Sequence, residues 1–479
     1  MGTQFEKSWE SIVKHKPPQW LLDAKFGIYA HWGVYSMETQ AAWYGKKMHD
    51  PVKYEETWKY HMEKYGPPWE VGFKDLIPKF KAEKFDPEEW AQLMKDSGAK
   101  YAGICVFHHD GFGLHDSDVY RWCAGKMGPK HDLYGDLVNS LRIRDMKVCA
   151  TFHHLRTFNW YLPSTQETIE LLREKGTDLF DPEYADLYWN HYIATYDDFL
   201  KVWKAKLLEI FDKYEPDLLW FDGGKFMSEE VEPYTLDVLS GYLNRALALG
   251  KEVCVLNKFN FAMKQNFPPE FGIYNFENGR DRPEEVEHPW IDDAPISGHG
   301  WSYSPTVTYP EPGYFVRYLA DRVSRGGQLL LSLSPKANGE LPEEEKRILC
   351  EMGDWLRVNG EAIYGTVRWK IPAETAMEEL RYEYRPGHLR WRDDYTQEDI
   401  RFTRKGNVLY AIGLVFPDNN RVLIKTLFKG NEICRENINS VDLLGFDGTI
   451  VWSQEVDGLH VTLPEKKPCD FSYVLKITM

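Results

Sequence analysis

The sequence reads as an α/β protein, a (β/α)8-like TIM barrel followed by a C-terminal antiparallel β-sandwich, on the strength of three patterns. From residue 25 to about 340, short β-type runs alternate with amphipathic helical segments, as in repeated βα units around a parallel sheet. Each of these runs ends on polar residues able to do chemistry. Beyond Gly360 the helical segments stop, and short alternating segments follow one another between turns.

In chain order, Phe26–His31 leads into His31-Trp32, Tyr101–Phe107 into His108-His109-Asp110, and Lys147–Phe152 into His153-His154. Asp217–Phe221 ends at Asp222, Glu252–Leu256 at Asn257, Gly272–Phe276 at Glu277 and Gln328–Leu333 at Ser334. In a barrel the carboxyl ends of the strands share one mouth, so these polar residues converge there while the runs fill the core. A Rossmann-like sheet also binds ligands at strand ends, but no Gly-rich fingerprint opens any of the helices. The helices carry ordinary signals. Asp86-Pro87-Glu88-Glu89 supplies a cap, a proline at the first helical position and a capping-box Glu, and Gly98 closes that helix. Segment 196–214 places Phe199, Val202, Trp203, Leu207, Ile210 and Phe211 at helical spacing. The later segments, Asn407–Phe416, Arg421–Leu427, Ile450–Gln454, Leu459–Leu463 and Phe471–Met479, fit an antiparallel sandwich. The expected division is a catalytic barrel over 1–365 and a sandwich over 366–479.

Composition narrows the partners. A formal charge of −16 and a pI of about 5.5 are the opposite of a nucleic-acid footprint and disfavour an anionic membrane surface. No apolar stretch approaches the roughly 18 residues of a transmembrane span. Met1 to Trp9 lack the apolar core of a signal peptide, so the reading is a soluble protein, periplasmic or secreted if a leader has been removed. The seven cysteines form no C-x-x-C, and no disulfide framework or cofactor is expected; the oligomeric state is left open. The 18 Trp supply flat rings with a polar handle, suited to sugar faces as well as to cores.

Asp222 directly follows a buried run and precedes Gly223-Gly224, which suits a nucleophile held in one direction, although a turn or cap Asp has the same signature. Trp220, two residues earlier, faces the same side. His31, His108, His109, His153 and His154 could be a metal cluster, yet adjacent histidines on an extended strand point to opposite faces. Neutral imidazoles bonding to sugar hydroxyls fit better, so no metal is expected.

Six blocks in order then resemble the α-L-fucosidases of glycoside hydrolase family 29. They are Lys25-Phe26-Gly27-Ile28-Tyr29-Ala30-His31-Trp32-Gly33-Val34-Tyr35-Ser36, then Trp43-Tyr44, His108-His109-Asp110-Gly111-Phe112, and Asp217 to Gly223. Gly326-Gly327-Gln328-Leu329-Leu330-Leu331 and Asn359-Gly360-Glu361-Ala362-Ile363-Tyr364-Gly365-Thr366 complete the set. The resemblance implies removal of terminal α-L-fucose from a fucosylated glycan with retained configuration and without metal. It implies Asp222 as nucleophile, His31, His108 and His109 on the fucose hydroxyls, and Trp43, Tyr44, Trp220 and Trp301 in the pocket. Two departures stand out. Ala42 occupies the place where many members have Glu before the Trp-Tyr pair, and Thr151-Phe152-His153-His154 replaces a Tyr-Tyr-Ser run, which makes His153 or His154 the substitute contact. The acid/base falls to Glu277, with Asp292 or Asp293, read as loop residues, as the alternative. An α-L-galactosidase of the same fold, a metal-dependent barrel hydrolase and a non-catalytic fucose-binding protein are the competing readings.

Overall fold

Strict alternation along the strands builds the barrel in layers. β1 (Phe26–Ala30), β2 (Tyr101–Phe107), β3 (Lys147–Phe152), β4 (Leu218–Phe221), β5 (Cys254–Lys258), β6 (Ile273–Glu277), β7 (Trp290–Pro295) and β8 (Leu329–Leu333) pair in parallel and in chain order, and β8 returns to β1. The computed structural model describes residues 4–38, 42–259, 265–278, 286–298, 300–375, 394–431 and 437–479, with the backbone alone of 384–385 and 388–389.

One set of alternate positions forms the lower interior: Tyr29, Tyr101, Cys149, Leu218, Trp220, Leu256, Ile273, Ile291 and Leu330 pack as a single apolar cluster. Two residues further along the same strands stand His31, Thr151, Asp222, Lys258, Asn275, Asp293 and Ser332. The barrel is therefore apolar below and polar at its carboxyl mouth. The other set, including Ile28, Ile104, Val148, Leu219, Val255 and Leu331, faces outward onto helix residues such as Trp90, Leu137 and Trp203.

Those helices obey their sequence signals. The helix Pro87–Asp96 begins where the Asp86 carboxylate accepts from the N–H groups of Glu88 and Glu89, a cap worth about 1 kcal/mol, and it buries Trp90, Ala91 and Met94. It ends at Gly98, whose φ of +92° and close approach to Leu356 leave no room for a side chain. Tyr196–Tyr214 is helical and buries Phe199, Trp203, Leu207, Ile210 and Phe211.

The sequence shows seven runs; the strand that completes eight is β7, in a stretch read as a loop. Its six residues, Trp-Ile-Asp-Asp-Ala-Pro, are all buried. Two adjacent acids and a proline conceal a strand because one acid, Asp292, turns outward and pairs with Arg322 (2.6 Å) and Tyr318 (2.6 Å). Asp292 is thus neither a loop residue nor a mouth residue.

After the helix Glu343–Asn359, a five-stranded antiparallel sheet runs in the spatial order Ser440–Leu443, Tyr473–Thr478, Val408–Gly413, Ile400–Lys405, Val367–Glu374. A three-stranded sheet orders Arg421–Ile424, Leu459–Thr462 and Val451–Gln454. Trp369, Phe402, Leu409, Val422, Val461 and Leu475 share one core. The five-stranded sheet is tied to the barrel by buried charges: Arg401 Nε donates to Asp321 (2.6 Å), which also pairs with Arg322 (2.8 Å), the partner of Asp292. Among the described residues no helix is long and apolar enough to cross a membrane.

Candidate active site

At the carboxyl ends of the strands lies a cavity of about 250 Å³ lined by His31, Trp43, His108, His109, His153, Trp220, Asp222, Glu277 and Trp301, together with Tyr29, Ala42, Lys47, Arg156, Lys258, Asp293 and Gly300. That volume is below the roughly 300–1,000 Å³ of sites for drug-sized ligands, and it suits one sugar ring.

The carboxylates converge on a single ammonium. Lys258 Nζ, at the end of β5, is 3.1 Å from Asp222 Oδ1 and 3.0 Å from Glu277 Oε2. Laid end to end those contacts separate the two oxygens by about 6 Å at most. Asp222 is fixed from its backbone outward: its N–H donates to Phe152 O (2.9 Å), and Asn266 Nδ2 donates to Phe221 O (3.0 Å), gripping the turn after β4. Burial by itself would raise the Asp222 pKa, but the facing charges, Lys258 foremost and with it Arg156 (3.4 Å), hold it well below the ordinary range, so the carboxylate is ionised. Burial alone would lower Lys258, and Glu277 and Asp222 raise it instead.

The histidines are neutral and their tautomers follow from their partners. Burial, helped by the charge of Lys258, pulls His31 down to about 3, and burial brings His109 to about 4 against the opposing field of Asp222. Burial pushes the Cys105 thiol up, so its S–H donates to His153 Nδ1 (3.1 Å). The His153 proton then sits on Nε2 and donates to His31 Nε2 (3.2 Å), and His31 Nδ1–H donates to Ser332 Oγ (2.8 Å). His109 Nδ1–H donates to His153 O (3.0 Å), which turns the bare Nε2 toward the pocket, 3.5 Å from Asp222 Oδ2. A hydroxyl between them would donate to one and leave its oxygen free for the other partners of the site.

His108 and His109 both reach the pocket because β2 stops at Phe107 and the chain turns, Gly111 N–H donating to His108 O (3.1 Å). The convergence of His31, His108 and His153 from three strands was outside the argument from adjacent pairs. One nitrogen of each lies within 4.8 Å of the other two, close enough to hold a metal ion, although His31 and His153 already bond to each other (3.2 Å).

Comparison with known proteins identifies the family. The family model described as alpha-L-fucosidase matches residues 2–361, and that described as the alpha-L-fucosidase C-terminal domain matches 392–478. The chain belongs to the α-L-fucosidase family. As such it is a glycoside hydrolase. It is similar to the human tissue alpha-L-fucosidase (26% identity over 489 residues, 99% of this chain and 92% of that protein) and to the human plasma alpha-L-fucosidase (27% over 493 residues, 100% and 93%). In three dimensions it is similar to the Thermotoga maritima alpha-fucosidase solved in complex with fucose, with a TM-score of 0.75, 26% identity, and 99% and 100% of the two chains covered.

Of the residues the family resemblance named, Tyr44 is not brought to the pocket. It is fully buried beside Trp43 in the main hydrophobic core, and its hydroxyl lies 2.6 Å from His61 Nδ1. Adjacent residues at the start of a helical turn diverge, so Trp43 keeps the pocket face, edge-on to His109 at 5.5 Å. His154 likewise turns away and packs on Phe107 at 4.5 Å, leaving His153 as the pocket histidine. Asn257 and Ser334 also leave the mouth. Asn257 holds the loop after β5 through Phe267 O and Phe271 O, and Ser334 bonds to Glu345. Asp293, unlike Asp292, does enter the pocket. Lys47, Lys258, Arg156 and Tyr29 are among the lining residues that the sequence reading did not assign to the site. Counting by twos from Leu256 reaches Lys258, a step hidden by ending that run at Asn257.

Proposed function

We propose that this chain is a retaining, exo-acting α-L-fucosidase that releases terminal α-L-fucose from fucosylated glycans by double displacement. The observation that carries the reading is the pair Asp222 and Glu277 on one ammonium at the base of a one-sugar pocket. A separation of no more than about 6 Å favours the roughly 5–5.5 Å of retaining enzymes over the 6.5–9.5 Å of inverting ones. Asp222, ionised, attacks the anomeric carbon while Glu277 protonates the departing oxygen. Glu277 then takes a proton from water as that water displaces Asp222. Lys258 steadies both carboxyls through the exchange of charge, and Arg156 keeps Asp222 a carboxylate. His108 and His109 offer ring nitrogens to the sugar hydroxyls, His31 and His153 exchange the 3.2 Å bond between them for bonds to the sugar, and Trp220 and Trp301 offer apolar surface for a C6 methyl. The related Thermotoga maritima enzyme, also solved with a mechanism-based inhibitor, supports a covalent route.

The test is proton NMR of the hydrolysis of an aryl α-L-fucoside, with enzyme dialysed against EDTA. α-L-Fucose should form first and mutarotate later, at an undiminished rate. β-L-Fucose as the first product, or a loss of rate restored by zinc, would overturn the reading.

His31→Ala should lower kcat/KM on the order of 10²-fold, since hydrogen bonds to ring hydroxyls strengthen toward the transition state by several kcal/mol. The melting temperature should move by only a few degrees, because a small polar pocket can admit water in place of the ring. A large fall in melting temperature with unchanged kinetics would make His31 a structural residue.

A further inference from the structure

A third carboxyl adjoins the two that Lys258 joins. In the parallel pairing of β6 with β7, Glu277 is level with Asp293, and both line the pocket. Asp293 is wholly buried. Its Oδ1 accepts from Asn275 Nδ2 (2.9 Å) and its Oδ2 from Tyr29 OH (3.3 Å), while Asn275 Oδ1 accepts from Trp220 Nε1 (2.8 Å), which fixes the amide's orientation. Asp293 thus lines the same pocket as the two carboxyls that share one ammonium. In a dry site a third negative charge without its own cation is expensive, and two neighbouring carboxyls hold one proton between them rather than ionise together. Burial foremost, and among the nearby charges Glu277 and then Asp292 against the pull of Lys258, lift Asp293 to about 7.

We propose that Asp293 is a positioning residue for the acid/base: it shares a single proton with Glu277, so that the pair delivers that proton to the leaving group and recovers it from water. The idea rests on the double-displacement reading above. In the first step the proton passes from Glu277 to the glycosidic oxygen as the bond from C1 to that oxygen breaks and the bond from Asp222 to C1 forms. Both members of the pair are then carboxylates facing Lys258. Their repulsion makes Glu277 a stronger base, and in the second step it takes a proton from water as the water oxygen bonds to C1 and Asp222 departs. The groups that face Asp293 are Tyr29 from β1, Asp222 and Lys258 across the pocket, and Asn275 and Glu277 from β6; Asp292, on its own strand, faces away onto Arg322.

The experiment is the pH dependence of kcat/KM for Asp293→Asn on two substrates, a fucosylated oligosaccharide and an aryl fucoside with a good leaving group. The amide can neither hold the proton nor repel a second charge. The basic limb for the oligosaccharide should therefore move down by about one pH unit or more, with kcat falling about tenfold at neutral pH and KM little changed. The basic limb for fucosylation by the aryl fucoside should stay in place, because its leaving group departs without a proton. Asp293→Ser should give the same shift and is the variant to read if the amide lowers stability. An unmoved basic limb on the oligosaccharide in both variants would overturn the proposal. So would azide rescue of Asp293→Asn to a retained α-fucosyl azide, which would make Asp293 itself the acid. Wild-type enzyme that released fucose from neither substrate would instead overturn the fucosidase reading, and this proposal with it.

Discussion

Asp222→Asn is expected to abolish turnover, by about 10⁴-fold or more, while leaving the barrel folded. The size of the effect follows from chemistry: an amide oxygen cannot form the glycosyl-enzyme ester. The fold should survive because Lys258 keeps Glu277 at 3.0 Å when its other partner is neutralised, so no buried cation is left alone. The companion variant Asp222→Gly opens the space behind the anomeric carbon. Azide should enter there and convert an activated aryl fucoside to the inverted β-fucosyl azide, a product that only the loss of the nucleophile makes accessible. Retention of a tenth or more of wild-type turnover by Asp222→Asn would refute the assignment. Denaturant or thermal unfolding of the same preparation separates loss of chemistry from loss of structure.

The sequence made the barrel legible wherever an element obeyed a period. Seven strands announce themselves because an apolar run buried on both faces ends abruptly in polar residues, and Asp222 and Trp220 share a face simply because they are two residues apart. β7 breaks the rule. Its outward position is an acid neutralised by Arg322, from a helix some thirty residues later, and no local pattern encodes that partner. The C-terminal strand 400–405 escaped for a related reason: Arg401 is buried, yet it is satisfied by Asp321 of the barrel rather than by its own sheet. Within the site, the strand-end histidines were visible by type, but their division into pocket and core was not. His153 and His154 differ only in which side of β3 each continues, and the chain turns directly after them. Tyr44 shows the limit of a motif. It accompanies Trp43 in the family block, yet it bonds to His61 in the core and does not line the pocket.

Glu277→Ala separates two substrates by the acidity of their leaving groups. General acid catalysis contributes about 10²–10⁴-fold when the departing oxygen needs a proton and little when it does not. Cleavage of a fucosylated oligosaccharide should fall by that range, whereas the first step with a dinitrophenyl-type fucoside should proceed almost normally and leave glycosyl-enzyme waiting for a base. Azide needs no base. The Glu277 side chain is 17% exposed, so its removal opens a path from solvent, and azide should accelerate turnover to the retained α-fucosyl azide. Asp292 cannot give this pattern, because its carboxylate is turned out of the barrel onto Arg322 and Tyr318. Asp293 can reach the pocket, so the decisive comparison is between Glu277→Ala and Asp293→Asn. Rescue by azide confined to Glu277→Ala would assign the acid/base to Glu277. Near-normal hydrolysis of both substrates by Glu277→Ala would remove that role from it, and the carboxyl level with it on β7 would be the remaining donor within the described pocket.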